Sequence, residues 1–67
     1  MRSLGFEELM DIAFQARKKK DLEKLNEVNS EFNYRVTKRI NMGKKPMKTS
    51  LAGKEQTDKW IDELNNK

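Results

Sequence analysis

The side chains that most often carry out catalysis are absent from this chain of 67 residues. It contains no His and no Cys, which removes the usual acid–base group, the commonest zinc ligand and the thiolate nucleophile. Its three serines, Ser3, Ser30 and Ser50, have no recognisable activating base, and no Gly-rich loop follows a strand. We therefore expect a non-enzymatic protein that uses no cofactor and takes no small-molecule substrate.

The carboxylates give no stronger indication of a reactive site or a metal site. Glu7, Glu8 and Asp11 are ordinary residues for the start of a helix, where exposed N–H groups favour negative charge. Glu27 and Glu31 are spaced by four residues and could share a metal ion, but cations stand close to them in the sequence. This pattern is typical of surface ion pairs on a helix, so we expect no metal site.

Basic side chains are the first candidates for a binding function. The chain carries 15 Lys and Arg against 11 Asp and Glu, a net charge of +4. A nucleic-acid-binding hypothesis uses ten of them: Arg17, Lys18, Lys19, Lys20, Arg35, Lys38, Arg39, Lys44, Lys45 and Lys48. Contact would be sequence-tolerant, because arginines that read guanine are few and the lysine-rich stretch lacks aromatics for stacking on single strands. The alternative is that these clusters complement helix C-termini and keep a linker solvated.

Apolar side chains near the end of the chain are the second candidates. Trp60, Ile61 and Leu64 share one side of an otherwise polar helical pattern, as in amphipathic peptides that dock in a groove. Tyr34 lies opposite the apolar stripe of the central helix and could anchor a partner. The leading hypothesis is a small regulatory or accessory protein that binds another protein through these four residues, aided by basic charge. Alternatively, Trp60, Ile61 and Leu64 close the protein's own core.

The longest regular pattern, in residues 21–41, predicts the helix that organises the chain. Its apolar residues are Leu22, Leu25, Val28, Phe32, Val36 and Ile40. They recur at spacings of three and four, which places them on one face of a helix. Asp21 is suited to cap the first turn, and Glu23 adds favourable negative charge there.

A first helix is expected over about residues 4–19, beginning within a residue or two of Leu4, with Ser3 as its N-cap. If both segments formed one helix at about 100° per residue, their apolar faces would lie about 130° apart. A break at residues 18–21 resolves the conflict, because a helical hairpin turns both faces towards each other. Lys20 then occupies a turn position that suits Gly better. One long helix is the alternative, since no Gly or Pro interrupts residues 6–42.

The rest of the chain divides into a linker and a last helix. Residues 41–43 form a helix stop signal, and residues 42–50 are expected to be a basic linker. A short amphipathic helix should follow at residues 51–66, with Ser50 as a candidate cap. The predicted organisation is all-α, with a helical hairpin in residues 1–41, the linker in residues 42–50 and the C-terminal helical segment in residues 51–67.

Size and composition bear on partners and location. A 67-residue chain that is 34% hydrophobic and 39% charged hides only about 60% of its surface on folding, so a structural homodimeric helical bundle is a further hypothesis. No apolar run approaches the length of about 20 residues that spans a bilayer, and no signal-peptide core is present. We expect no membrane association and a cytoplasmic (intracellular) location. Eleven Lys and six Asn against four Arg suggest an A/T-rich bacterial or phage gene.

Overall fold

Three α-helices account for most of the protein. The computed structural model describes residues 3–66, in which α1 spans Phe6–Lys19, α2 spans Leu22–Asn41 and α3 spans Lys48–Asn65. These residues contain no strand, so the all-α class is confirmed. No helix within residues 3–66 combines the length and the apolar character needed to cross a membrane.

A tight turn separates α1 from α2. Lys20 adopts the left-handed conformation, with φ 58° and ψ 36°, and its N–H donates to the carbonyl of Arg17 at 3.1 Å. The N–H of Asp21 donates to the carbonyl of Ala16 at 2.8 Å, and together these bonds form a Schellman motif. The Asp21 carboxylate then accepts a hydrogen bond from the N–H of Lys24 at 3.1 Å. The predicted break and the predicted cap of α2 are confirmed, and one continuous helix is excluded.

The helices pack side by side in an up-down-up order. α1 runs antiparallel to α2, because Arg35 near the end of α2 donates to the carbonyl of Leu4, just before α1, at 2.6 Å. α3 returns along α2 after the connecting turn of residues 42–47, and the Asn29 amide donates to Thr57 Oγ1 at 2.9 Å. The third helix therefore packs on the hairpin formed by the first two.

The core is a small cluster from α1 and α2 that α3 covers. Its buried members are Leu9, Ala13, Ala16, Leu25, Val28 and Phe32. Phe32 is the largest side chain that is completely enclosed, and its ring centroid lies 6.0 Å from that of Phe6 in α1. Gly53 of α3 faces the same ring so closely that a Cβ atom there would lie 2.5 Å from it. One aromatic ring thus joins all three helices.

The N-cap of α1 differs from the sequence-based prediction, although the helix begins within two residues of Leu4, as expected. The helix begins at Phe6 with Gly5 as its N-cap, and no side chain caps it. The assignment of Ser3 as the cap is therefore wrong. Glu7 and Glu8 in the first turn supply the favourable negative charge instead.

The start of α3 also differs. The helix begins at Lys48, three residues before the predicted start, so the connection shortens to residues 42–47. Ser50 is a buried residue of the first turn and does not cap the helix. α3 has 18 residues, which makes it longer than α1 with 14. The packing of Gly53 on Phe32 holds this first turn against α2, a long-range contact that has no signal in the local sequence.

Replacing Gly53 with Ala is expected to destabilise the protein. The added Cβ would lie 2.5 to 2.8 Å from three atoms of the enclosed Phe32 ring, so the ring or the helix must shift. We expect a loss of about 1–3 kcal/mol in the free energy of unfolding, measured by thermal unfolding followed by circular dichroism. Gly5→Ala is the control: its Cβ would meet nothing closer than 3.9 Å, so its cost should be limited to the change of N-cap residue, less than about 1 kcal/mol. An unchanged Tm for Gly53→Ala would contradict the close approach of α3.

Replacing Lys20 with Gly is expected to stabilise the protein. Lys20 is the one residue other than Gly with positive φ in the described chain, and this conformation is strained for a residue with a Cβ atom. We expect the free energy of unfolding, measured by urea titration, to rise by about 0.5–1 kcal/mol. This figure already allows for the greater freedom of Gly in the unfolded chain. Lys19→Gly, at the last helical position of α1, should have the opposite sign. A loss of stability for Lys20→Gly would show that its side chain contributes more than the strain removes.

Candidate functional site

The residues of α3 that were predicted to anchor a partner face the bundle. Trp60, Ile61 and Leu64 are partly buried and pack against the core. The Trp60 ring meets that of Phe14 edge to face, with centroids 6.4 Å apart, and the guanidinium of Arg17 lies 5.3 Å from its centroid. Packing within the chain therefore explains their amphipathic pattern, in line with the core-closing alternative.

Tyr34, the fourth predicted anchor, lies on the outer face of α2 with 37% of its surface exposed. The ammonium of Lys38, one turn further along α2, lies 5.8 Å from the centroid of its ring, within range of a cation–π contact. Trp60 instead packs on the core and against Phe14 and Arg17 of α1. The predicted anchors therefore do not form one surface.

The basic cluster of residues 17–20 lies at the end of the bundle where α1 finishes. Arg17 pairs with Glu63 of α3 at 3.5 Å, and Asp21 and Glu23 open α2 immediately beyond the turn. The cations are exposed, but acidic side chains lie among them. A surface of mixed sign gives little net attraction for phosphate.

The other predicted cations meet at the opposite end of the bundle. Residues 32–54 contain seven Lys or Arg and no Asp or Glu. Six of the seven lie in the last turns of α2, in the connecting turn and at the start of α3, and they are called the basic end: Arg35, Lys38, Arg39, Lys44, Lys45 and Lys48. The fold thus merges two clusters that the sequence presents as a helix end and a linker.

Two arginines of the basic end are engaged within the fold. Arg35 Nε donates to the Glu31 carboxylate at 2.9 Å, and Arg35 Nη2 donates to the carbonyl of Leu4 at 2.6 Å. Arg39 Nε donates to the carbonyl of Lys45 at 2.9 Å. These bonds tie the end of α2 to the start of α1 and to the connecting turn.

Three lysines of the basic end, two in the connecting turn and one at the start of α3, are used differently. Lys44, Lys45 and Lys48 are exposed, and none forms an ion pair with another residue in the part of the chain that the structure describes. Glu7 and Glu8 of α1 lie at the same end, and among residues 3–66 they too form no ion pair. Cations therefore outnumber carboxylates at this end, whereas the two signs are mixed at the other.

A groove opens beside the basic end, between the starts of α1 and α3 and the end of α2. Its volume is about 400 Å³, within the range of small-ligand sites. Its lining combines apolar side chains with polar and cationic ones: Phe6, Phe32, Met42, Met47, Arg35, Lys38, Arg39, Thr49 and Ser50. Met42 and Met47 are more than half exposed, at 57% and 53%. A larger depression along the first half of α2 is open to solvent on most sides.

Neither the groove nor the continuity of the basic end was predicted from the sequence. The predicted segments divide these cations between the central helix and the linker. The signal that indicates the basic end is the run of residues 32–54, which contains no acidic residue. The groove has no such signal, because Phe6, Phe32 and Met47 belong to three separate parts of the chain and meet only in the fold.

Comparisons of this chain with protein-family models, with curated proteins and with solved structures give no match. Within residues 3–66, no three acidic, His or Cys side chains are grouped so that they could hold a metal ion. The basic end and its groove are therefore the candidate site, and its chemistry has to be inferred from the residues themselves.

Replacing Trp60 with Ala is expected to destabilise the bundle by about 2–4 kcal/mol, because its ring packs on the core and on Phe14. Urea unfolding followed by circular dichroism measures this loss. Leu51→Ala is the control, since Leu51 is 38% exposed and should cost less than about 1 kcal/mol. If Trp60→Ala left stability unchanged, Trp60 would be free to serve a partner and the core-closing explanation would fail.

Proposed function

We propose that this protein binds nucleic acid without sequence preference, by placing its basic end against the phosphate backbone. The observation that supports the proposal is the acid-free run of seven cations in residues 32–54, most of which the α2–α3 connection gathers at one end of the bundle. Lys44, Lys45 and Lys48 are exposed there without an ion-pair partner among the described residues. Such lysines can neutralise phosphates and release their counterions.

The chemistry of this end favours backbone contact over base recognition. A specific reading of guanine commonly uses both arms of a guanidinium, yet Arg35 is held by Glu31 and Arg39 by the carbonyl of Lys45. The other cations are lysines, which act towards phosphate as point charges. Contacts of this kind position a protein on nucleic acid without reading its sequence.

The lysines of the basic end set the size of the expected salt effect. Each neutralised phosphate of duplex DNA contributes about 0.9 to the slope of log K against log salt concentration. Four contacts, from Lys38, Lys44, Lys45 and Lys48, give a slope of about −3.6, so affinity should fall about a hundredfold between about 50 and 200 mM salt. In this proposal the protein is a small intracellular accessory protein.

Removing three of these lysines is expected to weaken binding to all sequences alike. Fluorescence anisotropy of a labelled mixed-sequence DNA duplex, and of its RNA counterpart, would be measured at about 50 and 200 mM salt. The variant Lys44→Gln, Lys45→Gln, Lys48→Gln should bind more weakly, and its salt slope should be smaller by about two to three. Circular dichroism of each variant verifies that the helices remain.

The matched control is Lys18→Gln, Lys19→Gln, Lys20→Gln, which removes the same charge from the opposite end of the bundle. Its affinity should stay within about threefold of wild type, since charges beyond about 10 Å are largely screened. Equal losses in the two triple variants would show that only net charge matters. Absence of binding at both salt concentrations would eliminate the proposal.

A protein partner is the second candidate, and the groove favours it. Met42 and Met47 are exposed next to Lys38 and Arg39, and methionine adapts readily to partner surfaces. An acidic peptide with one or two apolar side chains would match this lining. Binding to such a peptide that is lost when Met42 and Met47 are replaced by Ser, and is retained in the triple variant of Lys44, Lys45 and Lys48, would favour this candidate.

A further inference from the structure

The N-terminus of α3 opens on the groove with its backbone donors unused. Met47 is the N-cap, in an extended conformation with φ −70° and ψ 140°, and no side chain caps the helix. No acidic residue occurs in the first turn, which begins with Lys48. The N–H groups of Lys48, Thr49 and Ser50 have no backbone acceptor among residues 3–66. Such donors, together with the positive end of the helix dipole, favour an anion.

Ser50 provides an independent indication of a ligand. Only 6% of its surface is exposed, the residue lines the groove, and its hydroxyl has no hydrogen-bond partner within residues 3–66. Every fully enclosed side-chain N or O in that part of the chain does have a partner, so the Ser50 oxygen is not fully enclosed, and the groove is the opening that Ser50 lines. By contrast, the buried hydroxyl of Thr57 donates to the carbonyl of Gly53 at 2.8 Å. Buried hydroxyls are usually satisfied, and the groove is where Ser50 can find an acceptor.

Two cations complete the lining on this side. Lys38 and Arg39 border the groove together with Thr49 and Ser50, and no carboxylate lines it. The hydrogen bond from Arg39 Nε to the carbonyl of Lys45 fixes the guanidinium beside the start of α3. Glu31, the carboxylate that pairs with Arg35, is 9% exposed and does not line the groove.

We infer that the first turn of α3, the Ser50 hydroxyl, Lys38 and Arg39 form a binding site for a phosphate group. A phosphate suits this set because its several oxygens can accept from the N–H groups and from the hydroxyl at once, while the cations balance its charge. If the phosphate belongs to a nucleic-acid backbone, the inference rests on the function proposed above, and the site would fix the strand in the groove. As the phosphate of a small molecule, it would bind independently of that function.

Inorganic phosphate is the probe for this site. ¹⁵N–¹H correlation spectra of the full chain would be recorded while phosphate replaces chloride at constant ionic strength. The amide signals of Lys48, Thr49 and Ser50 should shift and saturate together. Ser50→Ala should weaken phosphate binding about tenfold, the effect expected for loss of a hydrogen bond to a charged group. Ser30→Ala, at an exposed position on α2, is the matched control and should leave phosphate binding unchanged.

The outcomes separate this site from the proposed function. Phosphate binding that saturates in wild type and is weaker in Ser50→Ala supports the site even if no oligonucleotide binds. In that case the ligand is a small phosphorylated molecule. A tenfold loss of oligonucleotide affinity in Ser50→Ala assigns the phosphate to nucleic acid. Shifts that stay linear with concentration, or that are equal in Ser50→Ala and wild type, overturn the site, while oligonucleotide binding that depends on Lys44, Lys45 and Lys48 would still support the function. Tighter saturation by acetate than by phosphate would also overturn it and indicate a carboxylate from a protein partner.

Discussion

The contact between Phe32 and Gly53 is the constraint on which the arrangement of the helices depends. The Phe32 ring is completely enclosed, lies 6.0 Å from the ring of Phe6, and meets the α3 backbone at a distance that leaves no room for a Cβ atom. A chain of 67 residues has few large apolar side chains to bury, so one ring shared by three helices makes a large contribution to the core. The same contact brings the first turn of α3 beside the end of α2.

The position of that turn decides where the candidate site can form. Once α3 starts next to the last turn of α2, Met47, Thr49 and Ser50 face Phe6 and Arg39 across one groove. Arg39 and Arg35 then hold the connecting turn and the start of α1 through backbone carbonyls. Arg35 and the Nε of Arg39 serve the fold, while Lys44, Lys45, Lys48 and the rest of the Arg39 guanidinium are left for contacts with solvent or a ligand.

The two ends of the bundle differ in charge, so an anion is attracted more strongly to one end than to the other. At the end where α1 finishes, Arg17 and its neighbours lie among Glu63, Asp21 and Glu23. At the other end, six cations are gathered from an acid-free stretch. An anionic polymer would be drawn to that end over a distance of about 10 Å. There the groove could hold a single phosphate at short range, so diffuse attraction and local positioning would act at the same place.

Local chemistry in the sequence determined the helical class, the α2 helix with its Asp21 cap, and the break at Lys20. Apolar spacing, a capping carboxylate and a change of phase act within a few residues, so they can be read along the chain. The start of α3, the inward packing of Trp60, the burial of Ser50 and the groove were decided only by the tertiary structure. Each depends on residues that are distant in sequence, such as Phe32 with Gly53 or Phe14 with Trp60. Whether an apolar side chain faces the core or a partner, and whether a hydroxyl finds an acceptor, depends on these neighbours, which local spacing does not specify.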